Sequence, residues 1–305
     1  SEFKEDVVHK NAGHNRTLTV GVVNEPETRV GFDASKTFYW HKGDRVGVIT
    51  SAGFKEMILE DQYHKQSSGV FTGQFEEEMG DYVVYPYGGH VLENGQLTYV
   101  LPSSYTYASI EDEANSFNPP MAGRIDGSNA MLKHLGSFFK ISVSNIPAGD
   151  DDMKFILTAD KRLTGEFLVD MSAETPVLET DDLSSNAVTI NFSNTTPGNT
   201  GTFYVPAPLG TYGSITAELR DGEALLVSKT WTDQTVSRMT PKRGNLGLEY
   251  VAEIDGTPYK TLQSAIDAAD SQTITVVKDV DLDSPLVVAQ GRKMTIDLNG
   301  KTVSD

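Results

Sequence analysis

A period of two runs through this chain. Leu18, Val20 and Val22 alternate with Thr17, Thr19 and Gly21, and similar short β-like runs follow over 38–40, 46–49, 70–75, 82–85 and 97–101. Successive side chains on a strand point to opposite faces, so each run offers one face to a core and one to water. Clusters of Gly, Pro, Asn and Asp punctuate the runs as turns do. No amphipathic helical stretch of useful length precedes residue 260. The early chain is expected to be all-β.

A second set of runs starts near Leu135. Phe139, Ile141 and Val143 face one way and Lys140, Ser142 and Ser144 the other, with 155–157, 167–171, 188–192 and 203–205 following. Asp221-Gly222 separates two further runs, the strongest short-range signal for a hairpin. About seven short strands over about 110 residues is the spacing of a two-sheet sandwich. Residues 115–128, with two Pro and two Gly, read as a linker.

The pattern changes after residue 250. Leu262, Ala265, Ile266 and Ala269 form one narrow helical face, Thr261 can cap it, and short apolar runs follow over 273–277, 286–288 and 294–298. The expectation is a mainly β chain in three parts: all-β modules over 1–134 and 135–249, the second with the strand spacing of a sandwich, and a short third piece over 250–305.

Charge narrows the partners. Twenty-five Lys plus Arg stand against 43 Asp plus Glu, a net charge of −18. So acidic a chain repels phosphate backbones and anionic membrane surfaces, which argues against nucleic acid as a partner. With 38% hydrophobic residues it can still build real cores. The absence of Cys removes thiolate nucleophiles, Cys-based zinc sites and disulfides. No run of about 18 apolar residues is present to span a bilayer. Residues 1–3 (SEF) match what a cloning junction encodes, so the natural N-terminus is expected to be missing, and any export signal or lipid-attachment Cys with it.

Two resemblances rest on particular residues. Residues 37–48 (TFYWHKGDRVGV), 69–75 (GVFTGQF), 85–88 (YPYG) and 99–102 (YVLP) resemble, in kind and order, the fimbrillin family of Bacteroides-type surface proteins. Residues 135–141 (LGSFFKI), 163–165 (LTG) and 203–206 (FYVP) extend the resemblance, which covers about 17–245. It implies two transthyretin-like sandwiches in a pilus subunit, pilus tip or anchored adhesin at the outer membrane. It also implies assembly by strand addition after removal of an N-terminal segment. Residues 259–269 (YKTLQSAIDAA) followed by 295–302 (TIDLNGKT) are similar to the opening of pectate-lyase-like right-handed parallel β-helices. There a short helix plugs the end of the coil. Such coils serve lyases, glycosidases and passive stalks alike.

Arg16 and Arg29 flank the first run and are the candidate processing sites, with ordinary surface arginines as the plainer reading. Tyr85, Tyr87, Tyr105 and Tyr107 are candidate ligand-binding positions, because tyrosines can stack on sugar rings while their hydroxyls hydrogen-bond. Packing at a sandwich boundary is the favoured role for them. Trp40 and Trp231 are each expected in a core. The clusters Glu76-Glu77-Glu78, Glu111-Asp112-Glu113 and Asp150-Asp151-Asp152 read as solvated faces, without the spacing of a calcium loop. Asp279, Asp281 and Asp283 read as a charged strand edge. The six His are scattered, and no nucleophile elbow or phosphate loop appears.

These readings converge on a non-enzymatic adhesin or pilus subunit at the cell surface, without cofactors. Its expected partners are other surface subunits and a host or dietary glycan or matrix protein. The alternative is the anchoring and carbohydrate-binding part of a polysaccharide-degrading enzyme whose catalytic β-helix follows residue 305. Residues 250–305 supply little more than one coil, so their apolar side chains are expected to be covered by the second sandwich or by a neighbouring molecule. Asp305 is expected to mark a truncation.

Overall fold

The computed structural model describes residues 13–23, 38–112 and 118–305; Arg29 and Glu113 lie outside the described residues. The described chain is mainly β. Its first strands are β1 (His14–Val22), β2 (Arg45–Thr50), β3 (Gly53–Leu59), β4 (Ser68–Phe75) and β5 (Tyr82–Tyr85). Next come β6 (Val91–Glu93), β7 (Gln96–Leu101), β8 (Ser104–Tyr107), β9 (Met121–Asp126) and β10 (Asn129–His134). The second part holds β11 (Ser137–Ile146), β12 (Gly149–Ala159), β13 (Gly165–Asp170) and β14 (Ala187–Asn194). It continues with β15 (Asn199–Ala207), β16 (Gly210–Asp221), β17 (Ala224–Val236) and β18 (Lys242–Gly247).

Strands β1–β10–β9–β5–β2–β3–β4 close into a barrel, where the fimbrillin resemblance implies a two-sheet sandwich. Period two reports which face is buried, but closure depends on long-range register. Trp40, Phe71, Tyr85, Val46 and Val48 fill the barrel. The Trp40 indole N–H donates to the Val20 carbonyl at 3.0 Å. β5 sends Val83 and Tyr85 inward and Val84 outward, onto a small sheet of order β13–β7–β6. Leu97, Tyr99, Leu101, Phe167 and Val169 form that sheet's packed face. The expected linker is not one, because β9 lies within it and pairs with both β5 and β10.

The second part is built from two sheets. Sheets β15–β11–β18 and β17–β16–β12–β14–β8 face each other across one core. Phe155 stacks on Phe203 at 4.4 Å between ring centroids, and Phe192 reaches the same ring at 5.1 Å. The hairpin forms at Asp221–Gly222 as expected. Trp231 departs from expectation: it is half-buried on the edge strand β17. It lies against Gly244 of β18, where an added Cβ would come within 2.6 Å of the indole.

Strand pairing crosses the junction after His134 in both directions. β8 pairs in parallel with β14, from Ser104 opposite Thr189 to Tyr107 opposite Phe192. In return β13 pairs with β7, from Gly165 opposite Leu101 to Asp170 opposite Gln96.

The third piece comprises β19 (Ala252–Ile254), β20 (Thr257–Tyr259), α1 (Leu262–Ala268), β21 (Thr273–Val276), β22 (Val280–Asp281), β23 (Thr295–Asp297) and β24 (Val303–Ser304). The Ser264 N–H donates to Thr261 Oγ1 and the Thr261 N–H to Ser264 Oγ, a reciprocal capping box. Thr273 lies opposite Thr295 and Val280 opposite Val303, both in parallel, so the chain pairs with itself after a circuit of 22 or 23 residues. Asp279 and Asp281 are more than a charged edge. Asp279 Oδ1 accepts from the Thr302 N–H at 2.8 Å, and Asp281 meets Ser304 Oγ at 2.5 Å, joining the two passes.

The expectation that this piece lacks partners for its apolar groups is corrected in part. Ala252, Ile254, Leu262, Ala265, Ile266, Ile274 and Val276 bury one another in a core of their own. Val276 is fully buried, while Val288 and Leu298 stay 50% and 46% exposed. Against the second sandwich, Gly198 sits beside Gly256 and Pro258.

Candidate functional site

The structure separates the four candidate tyrosines. Tyr85 lies inside the barrel, its ring 5.1 Å from Trp40, and its hydroxyl is 3.0 Å from Asp44 Oδ1 and 2.8 Å from Asn118 Oδ1. Burial, with the Asp44 charge added, holds its phenol well above the ordinary value. Burial also raises the Asp44 carboxyl. Tyr107 is buried too, stacked on Phe203, and its hydroxyl accepts from the Tyr204 backbone N–H at 3.2 Å. Burial pushes Tyr107 up to about 12. Tyr105 packs against the second core from β8, and Tyr87 alone of the four is exposed, at 39%. Tyr85 and Tyr107 therefore do not offer a ring face to a sugar, and the four form no common surface.

Arg16 is held in place. It sits on β1 opposite Gly73, its guanidinium bonds the Glu76 and Glu77 carbonyls, and it pairs with Glu78 at 3.3 Å. A protease would need β1 to leave β4 before reaching the bond after Arg16. The Glu76-Glu77-Glu78 run is a salt-bridged surface, with Lys55 3.8 Å from Glu77. Among the described residues, no group of three or more His, Asp or Glu is arranged to hold a metal ion, and no helix is long and apolar enough to cross a membrane.

A groove of 680 Å³ opens where β13 faces the irregular segment 173–183. Arg162 closes one end. Its Nε and Nη2 form a two-point pair with Asp181 at 2.9 and 2.8 Å, and Nη1 bonds the Glu166 carbonyl. The same guanidinium lies 3.9 Å from the centroid of the Phe167 ring. Hydrogen bonding from Arg162 holds the Asp181 carboxyl below the ordinary carboxylate value. At the other end the Asp170 carboxyl is likewise lowered, by the Ser172 hydroxyl and backbone N–H. Leu168 and Leu183 line the groove at 65% and 66% exposure, among the most exposed large apolar side chains described.

The sequence carried one sign of this groove. Phe167 and Val169 are the inward residues of β13, so Leu168 is an apolar side chain on the face expected to be polar. The facing segment carried none, since its place beside β13 depends on the strand exchange. Chemically the groove offers carboxylates, a fixed guanidinium, two exposed leucines and strand backbone.

No protein-family model matches the sequence, and no curated protein matches it. Among solved structures, the chain is similar to a putative cell adhesion protein from Bacteroides ovatus, with TM-score 0.41 and 12% identity over 87% of this chain and 96% of that one. It is similar to a putative adhesin from the same organism, with TM-score 0.25 and 9% identity over 77% and 93% of the two chains. The major pilin of Streptococcus pyogenes is a further match, with TM-score 0.16 and 11% identity over 77% and 99%.

Proposed function

We propose that this chain is a fimbrillin-like adhesin or pilus subunit of the cell surface, working by binding and strand addition rather than by turnover. One observation carries the reading. In each β module the first and last strands among the described residues are hydrogen-bonded neighbours running parallel: β1 with β10, and β11 with β18. Tension along the chain enters β1 at its N-terminal end and leaves β10 at its C-terminal end. That geometry shears the ladder, so its hydrogen bonds carry load together instead of unzipping in turn. Leu135 and Gly136 alone join β10 to β11, which places a second such pair in series. The exchanged strands β8 and β13 bind the modules to each other. A protein that holds a cell to a surface is served by these properties. The ordered motifs over 37–206 support the same assignment, with attachment at the outer membrane.

The self-pairing of residues 273–304 at a circuit of 22 or 23 supports reading the third piece as the opening of a parallel β-helix, with α1 as its plug. Single-molecule extension of residues 13–247 tests the load-bearing claim. High-force rupture is expected, and extension at the low forces of an unzipping hairpin would refute it. A panel of glycans and matrix proteins supplies the second readout. Saturable binding without new reducing ends or unsaturated products is expected, and turnover of any polysaccharide overturns the reading.

A further inference from the structure

We infer that the groove between β13 and residues 173–183 is a strand slot that takes an extended, basic and apolar peptide segment of a partner protein. Its two walls both present backbone without partners. The Met171 N–H donates to the Gly95 carbonyl, in register with the pairing of β13 to β7. By the alternation of an antiparallel ladder, Gly165, Phe167 and Val169 turn their N–H and C=O groups toward β7. Those of Glu166, Leu168 and Asp170 turn to the free edge. The Glu166 carbonyl is taken by Arg162 and the Asp170 carbonyl by the Ala173 N–H. Leu168 has both groups free among the described residues.

On the opposite wall, the Leu209 N–H donates to the Leu178 carbonyl and the Thr180 N–H to the Leu209 carbonyl. This is a parallel bridge between Glu179 and Leu209, in which Glu179 turns its own N–H and C=O the other way. Glu179 lines the groove, and its backbone has no partner among the described residues. A strand lying between Leu168 and Glu179 would satisfy both. Pairing through main-chain groups is the basis of recognition by strand addition.

The lining sets the side-chain chemistry. Glu166, Asp170, Glu179 and Asp181 surround the groove, and Arg162, the lone cation of the lining among the described residues, is already tied to Asp181. A basic segment is therefore drawn in, and alternate apolar residues would cover Leu168 and Leu183. A second copy of this chain is a poor occupant, since each copy carries a net charge of −18. The inference rests on reading this chain as a binding protein, but its test needs no glycan, cell or pilus.

The probe is the acetylated, amidated hexapeptide Lys-Val-Lys-Val-Lys-Val with a fluorophore, titrated with the full chain. Controls are the Glu-Val analogue and the Lys-Val peptide N-methylated at alternate amides, which keeps the charge and removes strand donors. Saturable binding is expected, at least tenfold weaker for either control. Leu168→Pro removes one outward N–H while sparing the ladder to β7, the position where an edge strand tolerates Pro. It should weaken binding at least tenfold. If that variant fails to fold, Glu179→Lys provides the same reading through charge. Equal binding of the N-methylated peptide, or binding unchanged by both substitutions, would show general attraction to an acidic protein and overturn the slot. Self-association that the peptide displaces and Leu168→Pro abolishes would overturn the assignment to a different partner. Failure of the glycan panel with intact peptide binding would sink the adhesin reading alone.

Discussion

The Tyr99 hydroxyl donates to the Tyr85 carbonyl at 2.6 Å, and both side chains are buried. Tyr99 stands on β7 and Tyr85 on β5, so this bond ties the small exchanged sheet to the barrel wall. The His90 ring stacks on Tyr99 at 4.1 Å and accepts the Val100 N–H at Nδ1, which leaves its Nε2–H to donate to the Pro86 carbonyl. Burial lowers the His90 pKa, in keeping with a neutral ring in this network. Tyr99→Phe leaves the Tyr85 carbonyl without its donor and should cost about 1–3 kcal/mol. Urea unfolding of wild type and variant checks it, and an unchanged midpoint would show that the bond contributes nothing net.

The tyrosines at 85 and 87 should behave oppositely. Tyr85→Ala empties a site packed by Trp40 and Phe38 and should cost about 3–5 kcal/mol. Tyr87→Ala, on an exposed side chain, should change stability by less than about 0.5 kcal/mol. Thermal melts of the two variants measure this. If Tyr87→Ala also abolishes binding in the glycan panel, Tyr87 belongs to a ligand surface without its three companions.

Acid should weaken the fold through His134. Burial, with the Arg238 charge added, pushes its pKa from 6.5 down to about 4. The folded state keeps this ring neutral while the unfolded state protonates freely, so its contribution is intact above about pH 6.5. It is lost progressively between about pH 6.5 and pH 4, by about 3 kcal/mol in total. His134→Gln should flatten that part of the stability–pH curve. Equal slopes for wild type and variant between pH 7 and pH 4.5 would assign the acid lability elsewhere.

The C-terminal piece should melt by itself. Its core is built from its own residues, so Ile266→Ala should cost about 2–5 kcal/mol in one calorimetric transition and leave the other unmoved. Removing residues 250–305 should leave the barrel and sandwich folded. A single transition shifted by Ile266→Ala would mean that the contact near Gly198 couples the parts more strongly than its size suggests.

Much of the local structure was legible in the residues. Alternation along 139–143 marked which side chains of β11 are buried, Asp221-Gly222 marked the hairpin of β16 and β17, and Thr261 marked the start of α1. These are short-range consequences of backbone geometry and of side chains a few positions apart. The tertiary structure decided the rest, because register between distant strands leaves no local trace. It closed the barrel, exchanged β8 for β13, and put β9 where Pro and Gly had suggested a linker. Tyr85 ends β5 facing inward and Tyr87 falls beyond its end, so a spacing of two did not keep them on one face. The groove exists because residues 165–170 and 173–183 meet only after the exchange, and Leu168, an apolar residue on a polar face, was its sole mark in the sequence.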